Sequence, residues 1–248
     1  MDSHLAGAGS PDLARLAGLL ADGTRAAFCL ALLDGRAWTA TELARHAGVA
    51  APTATGHLNL LVAGGLLAQE RQGRHRYVRL ASADVAALIE NLAALAPPRQ
   101  AAPRSLSAAS RNRALARART CYDHLAGALG VQVTGAMTRR GLLNLDHGLA
   151  LTDEGARWFA ALGIDLPPAT RRPLVRSCLD WTERRPHLAG AAGAALCGHA
   201  MDRRWITRIG TGRAVALTDA GRDAFRAHLG LVTDEHAAAS PPAHPERV

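Results

Sequence analysis

The sequence predicts a mainly α-helical chain with small β-hairpins: an N-terminal winged helix-turn-helix followed by a C-terminal tandem of winged-helix-like repeats. Three observations carry that expectation. The 248 residues are 48% hydrophobic but only 4% aromatic, and an alanine-rich chain poor in aromatic and β-branched residues favours helix over sheet. A helix–turn–helix punctuation near the N-terminus is followed by two strand-like runs. The second half of the chain then repeats its own motifs in order, the signature of tandem structural units.

Along the chain, the first ten residues read as a loose tail. Residues 11–20 and 23–33 read as two helices, the second with Ala27, Leu30, Ala31 and Leu33 on an apolar face. Gly35 breaks it. Thr39-Ala40-Thr41-Glu42 is a capping-box pattern that starts a third helix. Gly48 ends that helix, and a fourth spans about residues 51–62 before Gly64-Gly65. Residues 66–71 and 75–80 read as a hairpin turning at Gln72-Gly73-Arg74. Ser82 caps a helix carrying Val85, Leu88, Ile89, Leu92 and Leu95, which Pro97-Pro98 stops. This places a first domain at 11–96, a Pro/Ala/Ser/Arg-rich linker at 97–110 and a C-terminal domain at 111–231, leaving 232–248 as a disordered tail.

The C-terminal domain divides into copies at about 111–166 and 167–231. Arg119-Thr120-Cys121-Tyr122-Asp123 is echoed by Arg176-Ser177-Cys178-Leu179-Asp180. His124-Leu125-Ala126-Gly127-Ala128 returns as His187-Leu188-Ala189-Gly190-Ala191, and Leu151-Thr152-Asp153-Glu154-Gly155 as Leu217-Thr218-Asp219-Ala220-Gly221. The second copy carries an insertion, Trp181-Thr182-Glu183-Arg184-Arg185-Pro186. Each copy reads as helix, helix, short hairpin, helix. The hairpin turns fall at Asp146-His147-Gly148 and Gly210-Thr211-Gly212, and Thr152 and Thr218 serve as N-caps of the closing helices.

Twenty-nine basic residues, all arginine, against 21 acidic ones give a net charge of +8. That excess suits nucleic acid or another anionic partner without choosing between them. No run approaches the ~18 apolar residues of a membrane span. The N-terminus has no basic segment followed by an apolar core, so a cytoplasmic protein is expected. The four cysteines lack CxxC or scaffold spacing and read as thiols of a reducing compartment.

The helix-turn-helix carries the chemistry. Its tight turn lets the second helix project into a DNA major groove. With Leu58 and Leu61 packed inward, Thr53, Thr55, Gly56, His57 and Asn59 remain on the outward side, short polar residues suited to base edges and phosphates. The hairpin concentrates Arg71, Arg74, His75, Arg76 and Arg79, a density that fits phosphate or minor-groove contact.

Leu20-Ala21-Asp22-Gly23-Thr24-Arg25, Thr41-Glu42-Leu43-Ala44, the run from Thr53 to Leu61, Ala63-Gly64-Gly65-Leu66-Leu67 and Arg71-Gln72-Gly73-Arg74-His75-Arg76-Tyr77 resemble, in order and spacing, the ArsR/SmtB family of bacterial winged-helix regulators. The resemblance covers roughly residues 11–95. It implies a homodimer on double-stranded DNA, more often a repressor, released by an effector, with the dimer formed by the first and last helices of this domain. The family's metal sensors often carry a cysteine pair after the Glu-Leu of the third helix, where Ala44-Arg45 stand here. A second pattern sets Asp and His along the last helix, where this chain has Asp84 and Glu90 but no histidine. Neither familiar metal site is present, and the resemblance assigns no effector, whether small molecule, metal or redox signal.

Cys121, Asp123, His124, Cys178, Asp180, His187, Cys197 and His199 form a second set. Thiolates with imidazoles suit zinc or a softer ion, and Cys121, His124, Cys178 and His187 are the metal candidates. A thiol redox sensor is a further reading. The first reading is nonetheless structural, because free cysteine is among the most buried residue types; no metal or other cofactor is therefore assigned. Cys29 reads as core. Trp181 either lines an effector pocket or fills the seam between the copies. Catalysis by Cys178, His187 and Asp180 has only composition behind it: the sequence has no nucleophile elbow, Walker loop or GxGxxG, so no enzyme is expected. The alternative to DNA reading is a ligand- or protein-interaction module in which the winged helix serves dimerisation or docking.

Overall fold

A computed structural model describes residues 11–73, 75–97, 106–146, 148–167 and 172–233. The expected N-terminal and C-terminal tails lie outside the described residues, apart from 232 and 233, as do Arg74, His147 and most of the expected linker.

The N-terminal half runs α1 (Leu13–Leu20), α2 (Gly23–Leu32), β1 (Trp38–Thr39), α3 (Ala40–Ala47), α4 (Ala51–Ala63), β2 (Leu67–Gln72), β3 (His75–Leu80) and α5 (Ala83–Leu95). Short polar side chains start α1, α2, α3 and α5, because the first backbone N–H groups have no partner within the helix. Asp12 accepts from the Arg15 amide, Asp22 from the Thr24 and Arg25 amides, and Ser82 from the Val85 amide. Thr39 and Glu42 close the expected capping box, with the Thr39 amide donating to Glu42 Oε2 at 2.7 Å. Gly48 ends α3 at φ 69°, a left-handed conformation that costs a residue with a Cβ. Leu43, Ala54, Leu58 and Leu61 then meet Phe28, Leu32, Leu66, Val78 and Leu80 in one buried core. The strand β1 has no periodic signal of its own and appears only as the edge partner of β3, giving the sheet order β1-β3-β2.

The second half opens with α6 (Leu106–Arg117), so the last residues of the expected linker are helical. The first copy then reads β4 (Arg119–Cys121), β5 (His124–Ala126), α7 (Gly127–Arg139), β6 (Leu143–Asn144), β7 (Ala150–Leu151) and α8 (Asp153–Ala161). The second reads β8 (Arg176–Leu179), β9 (Pro186–Ala189), α9 (Gly190–Asp202), β10 (Ile206–Arg208), β11 (Val215–Leu217) and α10 (Asp219–Leu229). The first copy thus keeps the expected helices α6, α7 and α8 but sets a β-hairpin between the first two, and in the second copy the hairpin β8–β9 stands where the first helix was expected. The strands are too short to show an alternating pattern, and the first turn places Tyr122 at φ 58° without a glycine or asparagine to announce it. Thr152 and Thr218 cap α8 and α10 as expected, accepting from the Gly155 and Gly221 amides at 3.0 Å.

The copies interlock. Helix α7 packs on β9 of the other copy, and α9 on β5. The Thr134 hydroxyl on α7 accepts the Leu188 amide of β9 at 2.8 Å. Glycines permit this approach: a Cβ at Gly130 would stand 2.4 Å from the Leu125 carbonyl oxygen and 3.8 Å from His187 Cβ. One at Gly193 would stand 2.6 Å from the Leu188 carbonyl oxygen and 3.3 Å from His124 Cβ. Gly193→Ala is expected to cost about 1–3 kcal/mol, since rigid backbone blocks the added methyl. Gly198→Ala, on the open side of the same helix with nothing within 4 Å, should gain roughly 0.5–1 kcal/mol through helix propensity. Urea denaturation of the two variants should move the midpoint in opposite directions; equal shifts would contradict the packing.

Between the copies lies a wholly buried ion pair. Arg119 Nη2 donates to Asp180 Oδ2 at 2.9 Å, both side chains being shut off from solvent. The same oxygen accepts the Gly127 amide at 2.7 Å, and Oδ1 accepts the Thr182 and Glu183 amides. Burial alone would raise the Asp180 carboxyl, but Arg119 and these donors hold it well below the usual carboxylate range. Trp181, partly exposed, lies over the Arg119 guanidinium at 4.5 Å, which covers this pair at the seam. The second half also grips the first: the Tyr122 amide donates to the Leu33 carbonyl at 2.8 Å, and Arg184 donates to the Ala94 carbonyl of α5.

Candidate nucleic-acid interface and a buried Cys-His cluster

Helix α4 buries Ala54, Leu58 and Leu61 and leaves Thr53, Thr55, Gly56 and Asn59 exposed. Residue Ala50 gives α4 no side-chain cap, so amides of its first turn stay open to an anion. The individual side chains are not equivalent. Thr55 Oγ1 already donates to the Ala51 carbonyl at 3.0 Å. His57 is only partly exposed and turns back towards α2, its Nδ1 lying 3.7 Å from Asp22 Oδ1 and 3.5 Å from Arg25 Nη1, with its ring edge-on to Phe28. Asn59 accepts from Arg76 Nη1 at 2.8 Å through its Oδ1. That bond fixes the wing against α4.

In the hairpin, Arg71 faces Arg76 across the strands and Gln72 faces His75. Arg71 and His75 are exposed and Arg76 partly so. Two guanidinium groups opposite each other have no mutual attraction; they are tolerated where water or an anion lies between them. Asn59, Val62, Ala63, Gln69, Arg71 and Arg76 line one open cleft of about 240 Å³ between α4 and the wing. Arg74, the tip of the expected contact, lies outside the described residues. Arg25 is a residue the sequence reading missed. It ties α1 to α2 by donating to the Leu19 and Gly18 carbonyls and supports His57, and only its place near a helix N-cap hinted at this.

The second constellation is internal. The first strand pair sets Cys121 opposite His124, and β8–β9 sets Cys178 opposite His187. Cross-strand partners share one face of a hairpin, so each copy offers a thiol and an imidazole side by side. The crossed packing then brings the two faces together: one donor atom from each of Cys121, His124, Cys178 and His187 lies within 4.8 Å of all the others, and all four residues are buried. The imidazoles stack with Nε2 atoms 3.1 Å apart. Their Nδ1 atoms face carboxylates at equivalent places in the repeat, His124 towards Asp123 Oδ1 at 3.3 Å and His187 towards Asp180 Oδ2 at 3.6 Å. Asp123 is itself held by Arg172 at 2.7 Å.

The electrostatics are those of a buried polar pocket. Burial would lower His124, but its bonds to Asp123 and Cys178 raise it to about 9. The Cys121 hydrogen bond, aided by both histidines, holds Cys178 far below the ordinary thiol range, while burial drives Cys121 the other way. Glu90 of α5 closes the pocket from the N-terminal half: its Oε2 lies 3.3 Å from Cys178 Sγ, and burial pushes its carboxyl up to about 7. Sequence reading recorded Glu90 only as an acid on the last helix; its inward face there, between Ala86, Ile89 and Ala94, was the available signal. Cys197 and His199 do not join the cluster. Cys197 sits in the core, where burial lifts its thiol to about 12, and His199 packs on Trp205. Cys29 is likewise buried in the N-terminal core, as expected, and lifted to about 12.

The chain is similar to several known proteins. A family model described as a helix-turn-helix domain matches residues 20–70. The chain is 42% identical over 225 residues, 90% of its own length and 99% of the relative's, to YdfF of Bacillus subtilis, named as an uncharacterized HTH-type transcriptional regulator. Among solved structures it is similar to a homodimeric winged helix-turn-helix DNA-binding domain of Mycobacterium bovis, Mb0332, a possible ArsR-family regulator. That match has 31% identity, 36% of this chain and 89% of that one covered, and a TM-score of 0.31. HlyU of Vibrio cholerae matches at 26% identity over 33% of this chain and 88% of its own, also with a TM-score of 0.31.

Proposed function

Because this chain belongs to the helix-turn-helix transcriptional regulators, we propose that it works as an ArsR-like homodimeric repressor whose α4 reads the major groove while its wing holds the phosphate backbone. The observation that supports this most is the Asn59–Arg76 bond. It presents the exposed face of α4 and the wing arginines as one continuous surface. Thr53, Thr55, Gly56 and Asn59 are the groove-facing residues in this reading. Arg71, Arg74, His75 and Arg76 are the backbone contacts. His57 acts more by orienting α4 against Asp22 and Arg25 than by reaching a base.

The dimer in this reading uses α1 and α5. Leu13, Leu92 and Leu95 on these helices are 72%, 44% and 75% exposed, apolar area that a second copy would remove from water. Leu92→Glu is expected to convert the dimer to monomer in light-scattering chromatography and to weaken binding to a two-half-site operator. A dimer that persists would move the interface elsewhere. No helix among the described residues is long and apolar enough to cross a membrane, and no catalytic constellation is proposed.

The deciding experiment is a genomic pull-down with purified protein, followed by gel shifts on the enriched duplex and on random duplex. A palindromic site bound far more tightly than random DNA, with affinity falling steeply as salt rises, is the expected result. Failure to enrich any duplex would favour the protein- or ligand-docking module instead.

A further inference from the structure

We infer that Cys121, His124, Cys178 and His187 form a four-coordinate site for a thiophilic divalent cation of the Zn²⁺ class, shared between the two copies of the repeat and braced by Asp123 and Asp180. Two sulfur and two nitrogen donors are the ligand set of tetrahedral zinc centres. A tetrahedron with bonds of ~2.0–2.3 Å sets its donors about 3.3–3.8 Å apart. The facing Nε2 atoms at 3.1 Å, and four donors all within 4.8 Å of one another, need only a small adjustment to reach it.

The polar accounting points the same way. Two facing imidazole nitrogens can share one proton at most, and a buried pair of thiols satisfies neither ring fully. Among the described residues, His187 Nδ1 and Glu90 Oε1 are buried without a hydrogen-bond partner, which a fully satisfied core would avoid. A carboxylate behind the distal nitrogen of each histidine is the usual outer arrangement around a bound metal, where it fixes the ring so that Nε2 points at the ion. Here the repeat supplies one such carboxylate for each ring. The site differs from the two familiar metal positions of the resembled family, both absent from this chain, because it lies wholly on the C-terminal hairpins. Glu90 touches Cys178 from α5, so the site is continuous with the helix that follows the wing.

The test uses the full chain, reduced and dialysed against chelator, and titrated with Co²⁺ and then Zn²⁺. One equivalent of Co²⁺ should bind with thiolate-to-cobalt charge-transfer absorption and the intense visible bands of a tetrahedral centre, and Zn²⁺ should abolish both and raise Tm. Cys178→Ser should lose the spectrum, whereas Cys197→Ser should keep it. If Cys178→Ser fails to fold, Asp123→Asn serves instead, expected to weaken Zn²⁺ binding ~10–100-fold with the circular dichroism unchanged. Absence of the cobalt spectrum in the native chain, or its survival in Cys178→Ser, overturns the site. So does mild oxidation that consumes two thiols in a chain taking up no metal, which would make Cys121 and Cys178 a redox pair.

Discussion

Arg119→Ala is expected to lose about 3–5 kcal/mol of stability, the cost of leaving one partner of a buried ion pair uncompensated. Arg119 and Asp180 are both wholly inaccessible, and removal of the guanidinium strips Asp180 of its only ionic donor at hydrogen-bond distance among the described residues. It also removes the bonds to the Leu115 carbonyl and Thr182 hydroxyl and the platform beneath Trp181. Total stabilities of ~5–15 kcal/mol make this a large fraction. Urea denaturation followed by tryptophan fluorescence would register it, Trp181 being a local probe. The double variant Arg119→Leu, Asp180→Asn should recover part of the loss, since the buried charge is then gone. A single-variant loss under 1 kcal/mol would mean that water reaches Asp180.

The wing should dominate affinity for DNA. Each phosphate contact contributes about 0.9 to the logarithmic salt slope. In a dimer every arginine counts twice, so Arg71→Ala should flatten the slope by about 1.8. At fixed salt, a charge-assisted bond of ~1.5 kcal/mol lost in each half-site amounts to about a hundredfold weaker binding. Arg71 is exposed, and a phosphate contact from it would contribute alike on all sequences. Arg76→Ala should show the same loss of slope and, because it frees Asn59, also change which bases are preferred. Isothermal titration on operator and random duplex at several salt concentrations separates the two. An Arg71→Ala slope equal to that of the native chain would remove the wing from the interface.

The N-terminal half was nearly readable in full, because its signals are local. Thr39 and Glu42 announce a helix start, Gly48 a stop, and Leu58 and Leu61 the inward face. The edge strand Trp38–Thr39 escaped notice because only pairing with β3 defines it. The repeat in the second half was legible as matching residues, but the hairpins β4–β5 and β8–β9 were not. Three- and four-residue strands carry no period, and the left-handed residues in the two loops are Tyr122 and Arg184 rather than glycine. The Cys-His cluster was half legible. The echo of Cys121 and His124 in Cys178 and His187 raised the idea of a shared site, whereas bringing the donors together depends on crossed helix packing that spacing does not encode. Glu90 and Arg119 were illegible for a related reason: their partners lie 88 and 61 residues away.

The interlock of α7 on β9 and α9 on β5 also bears on ancestry. Each copy supplies half of the cluster, and each hairpin is covered more by the other copy's helix than by its own. A forebear carrying a single copy could have completed the arrangement only by pairing with itself, its four donors straddling the twofold axis of that pair. Duplication and fusion would then have turned a contact between molecules into one within a molecule. The two halves would then be free to diverge, and the six residues from Trp181 to Pro186 stand in the second alone.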